Sequence, residues 1–93
     1  MTQPDIQSAI AGLSGWTHAG KKLRKEFKFA NFRDAFAFMT RCALEIEKMD
    51  HHPEWSNVYN RVTVDLSTHD AGGITQKDFD LAALLEGIAK KLA

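Results

Sequence analysis

Pro53 separates two hydrophobic periods that cannot belong to one element. Before it, Phe32, Phe36, Met39, Ala43 and Ile46 recur at helical spacing. After it, Val58, Val62, Val64 and Leu66 share one parity. Trp55, Tyr59, Arg61, Thr63, Asp65, Ser67 and His69 share the other, which is the two-residue period of a strand. A proline pushes the preceding residue out of the α region, so the helix is expected to stop near His51, with His52 already outside it. Asn31 is a good N-cap for its start, with Asp34 three residues on. Asn60 interrupts the even series and predicts two short strands meeting at a bend. A long helix laid against alternating strands is an α+β arrangement.

The rest of the chain fits that layer. Ile6, Ile10 and Leu13 share a helical face, predicting a helix from about Pro4 to Leu13 that ends at Ser14-Gly15. Trp16 to His18 reads as a short strand and Ala19-Gly20-Lys21 as a turn. Leu23, Phe27 and Phe29 alternate with Arg24, Glu26 and Lys28, as in a half-buried antiparallel strand. Asp70-Ala71-Gly72-Gly73 is a turn, and Thr75 caps a last helix with Asp78 at its third position. Phe79, Ala82, Leu85, Ile88, Ala89 and Leu92 supply that helix's core face. The helices are expected to cover one face of the sheet. The other face is left to solvent or to a second subunit.

Ninety-three residues suit a single domain, 1–93. A domain of this size buries about 60–65% of its unfolded surface, which makes self-association a natural source of further burial. Twelve basic and twelve acidic residues leave no net charge, which argues against a nucleic-acid partner. Lys21, Lys22, Arg24, Lys25 and Lys28 still lie close enough for a local basic patch. Cys42 is the only cysteine, so no disulfide forms within the chain, and its place beside the apolar stripe reads as core. Met1-Thr2-Gln3-Pro4-Asp5 has no basic leader, and no apolar run is long enough to span a membrane. A cytoplasmic protein with no membrane contact is expected.

Three histidines sit at element ends, where side chains can face a shared cleft: His51 and His52 at a helix break, His69 at a strand end. Imidazole accepts or donates a proton near neutral pH. Taken alone, a histidine pair before a proline is more often surface or capping than catalytic. Glu47 lies one helical turn before His51 and can hold an imidazole or a ligand N–H. Asp78 is explained locally as half of a capping box, which is compatible with a site beside the helix N-terminus. Trp16 and Trp55 are suited to the core or to walling a flat aromatic ligand. Three histidines and Glu47 invite comparison with zinc sites, but there is no Cys-x-x-Cys or His-Glu-x-x-His, and no metal is expected. Gly72-Gly73 alone makes no phosphate loop.

The stretch Glu47-Lys48-Met49-Asp50-His51-His52-Pro53-Glu54-Trp55, followed by Tyr59, Thr68-His69 and Asp78, resembles the pterin-4a-carbinolamine dehydratase family. That resemblance extends through Gly15-Trp16, Phe27-x-Phe29, Phe36-x-Phe38-Met39 and Gly72-Gly73, about 80 residues in all. It implies a four-stranded antiparallel sheet with three helices packed on one face, and a homodimer or homotetramer. It implies a lyase that dehydrates 4a-hydroxytetrahydrobiopterin to the quinonoid dihydropterin, working after an aromatic amino-acid hydroxylase and needing no metal or organic cofactor. His51, His52 and His69 would then be catalytic. Glu47, Pro53, Thr68, Asp70, Asp78 and Trp16 would border the substrate.

Two other readings stay open. Animal members of the family also stabilise a transcription factor's dimerisation helix, so a non-enzymatic binding or dimerisation module is the alternative to an enzyme. The physiological pterin could also belong to a folate- or molybdopterin-related route, because its C6 side chain is expected to point to solvent.

Overall fold

A computed structural model describes residues 2–92; Met1 and Ala93, the two ends of the expected 1–93 unit and the first residue of the expected leaderless N-terminus, lie outside the described residues. The elements follow the expected order: α1 (Gln3–Ile10), β1 (Thr17–Ala19), β2 (Lys22–Lys28), α2 (Phe32–Met49), β3 (Glu54–Val58), β4 (Arg61–Leu66), a 3₁₀ turn (His69–Ala71) and α3 (Gln76–Leu92). The four strands form one antiparallel sheet in the order β1-β2-β4-β3. The fold is α+β with three helices, as expected.

Caps fix the helix ends. Thr2 and Asp5 make a reciprocal capping box at the start of α1. That helix stops at Ile10, short of the expected Leu13, because Ala11 to Leu13 turn back with Gly12 N–H on Ala9 O and Leu13 N–H on Ile10 O. Asn31 Oδ1 accepts from Asp34 N–H at 2.9 Å and starts α2. Asp50 ends α2 in the left-handed region at φ 53°, two residues before the proline-restricted His52. The left-handed residue turns the chain so that His51, His52 and Pro53 cross from helix to sheet.

The strand pairing explains the interruption at Asn60. Val58 pairs with Arg61 across the two-residue loop Tyr59-Asn60, so β3 and β4 are one hairpin. Pairing reverses the parity, and Val58 is exposed while Val62, Val64 and Leu66 are buried with Leu23 and Phe27. Asn57 Nδ2 steadies the loop by donating to Tyr59 O and Arg61 O.

Helix α2 corrects one expectation. Its buried face is Ala35, Phe38, Cys42 and Ile46, with Phe38 against Phe27 and Phe29 at ring separations of 4.8 and 5.0 Å. Phe32, Phe36 and Ala43 of the expected stripe are exposed, as is Leu44. The helix is apolar over two adjoining faces, and periodicity does not say which one meets the sheet. His18 is half-buried, since it pairs with Leu23 on the inner side of the sheet.

Three of the five basic residues from Lys21 to Lys28 find acidic partners. Lys22 pairs with Glu54 and Arg24 with Asp65 on the outer sheet face. Lys25 has the parity of Leu23 and Phe27, so it points inward. There it meets Glu86 of α3, donates to Ser14 O at 3.1 Å and lies 4.7 Å from the Phe27 ring centroid. Among the described residues, no helix is long and apolar enough to cross a membrane.

Candidate active site

The turn after α2 brings His51 to the start of α3. His51 Nε2 lies 2.6 Å from Asp78 Oδ1, and the Asp78 side chain is fully buried. Asp78 sits in the first turn of α3, where its Oδ2 accepts Thr75 N–H at 2.9 Å, the capping contact expected from the sequence. The same oxygen accepts Thr68 Oγ1–H at 2.9 Å, and Thr68 Oγ1 is 2.6 Å from Thr75 Oγ1. Thr68 is held by a backbone bridge to Gly73, which closes the loop carrying His69 and Asp70. Gly72 takes φ 68° at the end of that loop, a conformation that favours glycine.

His52 faces a different partner. Its Nε2 lies 3.0 Å from Glu47 Oε1, and both side chains are largely exposed. Glu47, His52 and Pro53 border a cavity of about 610 Å³ with Leu44, Ile46 and Trp55 among its walls. That size accommodates a bicyclic ligand, and mostly apolar walls with a few polar groups are the usual make-up of a small-molecule site. A second cavity of about 410 Å³ is bordered by Thr68, Asp70 and Thr75.

The sequence-predicted residues therefore fall into groups. His51, Thr68 and Asp78 form one hydrogen-bonded cluster, and Glu47, His52 and Pro53 line one cavity. His69 and Asp70 are exposed on the 3₁₀ turn that begins beside Thr68. Trp16 stands apart: it is buried, packs edge-on against Phe27 and donates its indole N–H to Glu86 at 2.9 Å. Two features escape the sequence. One is the long-range partner of Asp78, masked by a capping pattern that already accounts for it. The other is the Thr75 hydroxyl, which reads only as a cap. Among the described residues, no three histidine, cysteine or acidic side chains converge as a metal site. Cys42 is buried, and burial pushes its thiol up to about 12, so it is not a nucleophile at neutral pH.

Comparison with known proteins assigns the family and the fold. The family model described as "Pterin 4 alpha carbinolamine dehydratase" matches residues 1–88. A Solibacter usitatus protein named "Putative pterin-4-alpha-carbinolamine dehydratase" is 58% identical over 89 residues, spanning 96% of this chain and 94% of its own. A Rhizobium leguminosarum bv. trifolii protein of the same name is 53% identical over 88 residues, spanning 92% and 87%. Among solved structures, a Brucella melitensis protein described as a transcriptional coactivator/pterin dehydratase superposes with a TM-score of 0.93 at 42% identity, covering 96% of this chain and 97% of its own. A pterin dehydratase-like protein described as a RuBisCO assembly factor of the α-carboxysome shares the fold, with a TM-score of 0.70 at 24% identity over 81% of this chain and 89% of its own. The chain belongs to the pterin 4 alpha carbinolamine dehydratase family, and that membership supports a dehydratase activity on a pterin.

Proposed function

We propose that this protein eliminates water from a 4a-hydroxytetrahydropterin by histidine acid–base catalysis. The C4a–O bond breaks as a general acid protonates the departing oxygen, which leaves as water. A general base removes the N5 proton, and the N5–C4a double bond of the quinonoid dihydropterin forms. His51 and His69 are the acid and base, His52 chiefly binds the ring, and Glu47 holds an imidazole or a pterin N–H. Pro53, Asp70 and the backbone around Thr68 border the substrate, and the buried Asp78 acts through His51. Catalysis of this kind is worth about 10²–10⁴-fold.

One observation carries the reading: His51 is fixed through one ring nitrogen by the buried Asp78, with the other left open, next in sequence to a histidine that lines a ligand-sized cavity. The physiological setting that fits is cytoplasmic tetrahydropterin recycling after an aromatic amino-acid hydroxylase. The test is the ultraviolet absorbance of freshly made 4a-hydroxytetrahydropterin with and without the protein.

The protein works as a homo-oligomer in this reading, and the exposed face of α2 is its contact. Phe32, Phe36 and Leu44 are 47%, 55% and 67% exposed. Arg33, Phe36, Thr40, Leu44 and Glu47 form a stripe symmetric about Thr40. Two antiparallel copies of α2 crossing at Thr40 set Phe36 against Leu44 twice, as a two-fold interface requires. Thr40 Oγ1 donates to Phe36 O at 2.9 Å within its own helix, so the crossing point needs no outside partner.

A further inference from the structure

We infer that Thr68 is a positioning residue that, backed by Thr75, sets the tautomer of His51 and makes Nδ1 its working nitrogen. The hydrogen bonds around Asp78 run one way. Lys77 N–H donates to Thr75 Oγ1 at 3.3 Å, and Thr75 N–H, which can only donate, reaches Asp78 Oδ2 at 2.9 Å. Thr68 Oγ1 spends its single proton on the same Oδ2. In its 2.6 Å contact with Thr75 Oγ1 it must then be the acceptor, and Thr75 the donor.

Asp78 Oδ2 accepts twice, and Thr68 and Thr75 turn the fully buried side chain so that Oδ1, an acceptor in a carboxylate, faces His51. A neutral imidazole has one N–H, and an acceptor 2.6 Å from Nε2 claims it. Nδ1 then carries the free lone pair. No described protein group bonds Nδ1, yet no buried side-chain nitrogen or oxygen lacks a partner, so Nδ1 reaches solvent. Thr68 and Thr75 touch no substrate in this role. They act through Asp78, and the assignment of Nδ1 to the reacting proton rests on the dehydratase reading above.

The test begins with the ligand-free protein. Proton–nitrogen correlation spectra of ¹⁵N-histidine protein, with His51 assigned by loss of its signals in His51→Gln, report the tautomer directly. The expected wild-type result is a protonated Nε2 and a bare Nδ1. In Thr68→Val the His51 Nε2–H signal should broaden or the two tautomers mix, and Thr68→Ser should restore it. In the dehydration assay Thr68→Val should lower kcat about tenfold, the order a lost hydrogen bond to a charged group sets, with little change in KM. If Thr68→Val does not fold, Thr75→Val, which removes the outer donor together with the acceptor of Lys77 N–H, gives the same readouts, more weakly. A wild-type His51 protonated on Nδ1 would overturn the inference. So would folded valine variants with unchanged spectra and kcat, because a purely structural chain would change stability alone. The spectra stand even if no dehydration is catalysed, so failure of this inference is distinct from failure of the proposed reaction.

Discussion

His51 and Asp78 are 27 residues apart in sequence and 2.6 Å apart in space. Their contact joins the end of α2 to the first turn of α3, and it buries a carboxyl that Thr68 Oγ1–H and Thr75 N–H hold from the other side. A fully buried acidic group is rare unless paired, and this one is satisfied by three separate contacts. The imidazole gains a fixed orientation in exchange, which is what a proton-transfer group needs.

His52 and Glu47 should affect binding more than turnover. Their contact is exposed, and their shared cavity is where a ring would lie. His52→Ala is expected to raise KM roughly tenfold with kcat nearly unchanged. Glu47→Gln should do less, since exposed pairs are weak. Steady-state kinetics on hydroxylase-generated substrate separate the two parameters, and a fall in kcat alone would contradict the assignment.

The exposed α2 stripe should hold copies together. Wild-type protein is expected to show twice or four times the monomer mass by light scattering. Phe36→Asp places a charge opposite Leu44 of the second copy and should shift the mass to the monomer with the fold intact. A monomeric wild type would remove the interface.

Glu86 ties three segments at one point, accepting from Trp16 Nε1 and Lys25 Nζ on Oε1. Glu86→Ala strands an ammonium and an indole N–H in a partly buried place. It should lower stability by about 1–3 kcal/mol, read as a urea midpoint shift. Replacing the ion pair together, Lys25→Met with Glu86→Leu, leaves only the indole N–H unpaired and should lose less. An unchanged midpoint in Glu86→Ala would show that the cluster contributes nothing.

Much of the architecture is legible in the residues. The alternation from Leu23 to Phe29, the cap at Asn31 and the stop before Pro53 are local signals, and local chemistry decides them. The choice between the two apolar faces of α2 is not local. It depends on the volume that Phe27 and Phe29 leave for Phe38. Lys25 shows the same limit, since a charge on the core parity is tolerable only because Glu86 arrives from α3. In the site, the types and spacing of His51, His52 and His69 stand out in the sequence. The pairing of His51 with Asp78 does not, because Thr75-x-x-Asp78 already has a complete local explanation as a helix cap. Nor does spacing separate Trp16, which packs on Phe27 and Glu86, from the residues that border the cavity.

Cys42 should leave a mark at high pH. Its thiol is pushed from an ordinary 9.0 up to about 12 by burial. Below about pH 9 both folded and unfolded chains keep the proton, and the contribution is constant. Between about 9 and 12 the unfolded chain loses it while the folded chain retains it, so stability falls as pH rises. Cys42→Ala should flatten that limb in urea midpoints taken across the range. An equally steep limb would place the loss elsewhere.

Dehydration of freshly generated 4a-hydroxytetrahydropterin, followed by absorbance with wild-type protein and with a His51→Ala, His69→Ala double variant shown to be folded by circular dichroism, reads the acid–base roles of the two histidines. The wild type should accelerate it clearly and the variant should fall to the spontaneous rate, as acid–base catalysis by His51 and His69 requires. An unchanged rate in the variant, or no acceleration by folded wild-type protein, would contradict it.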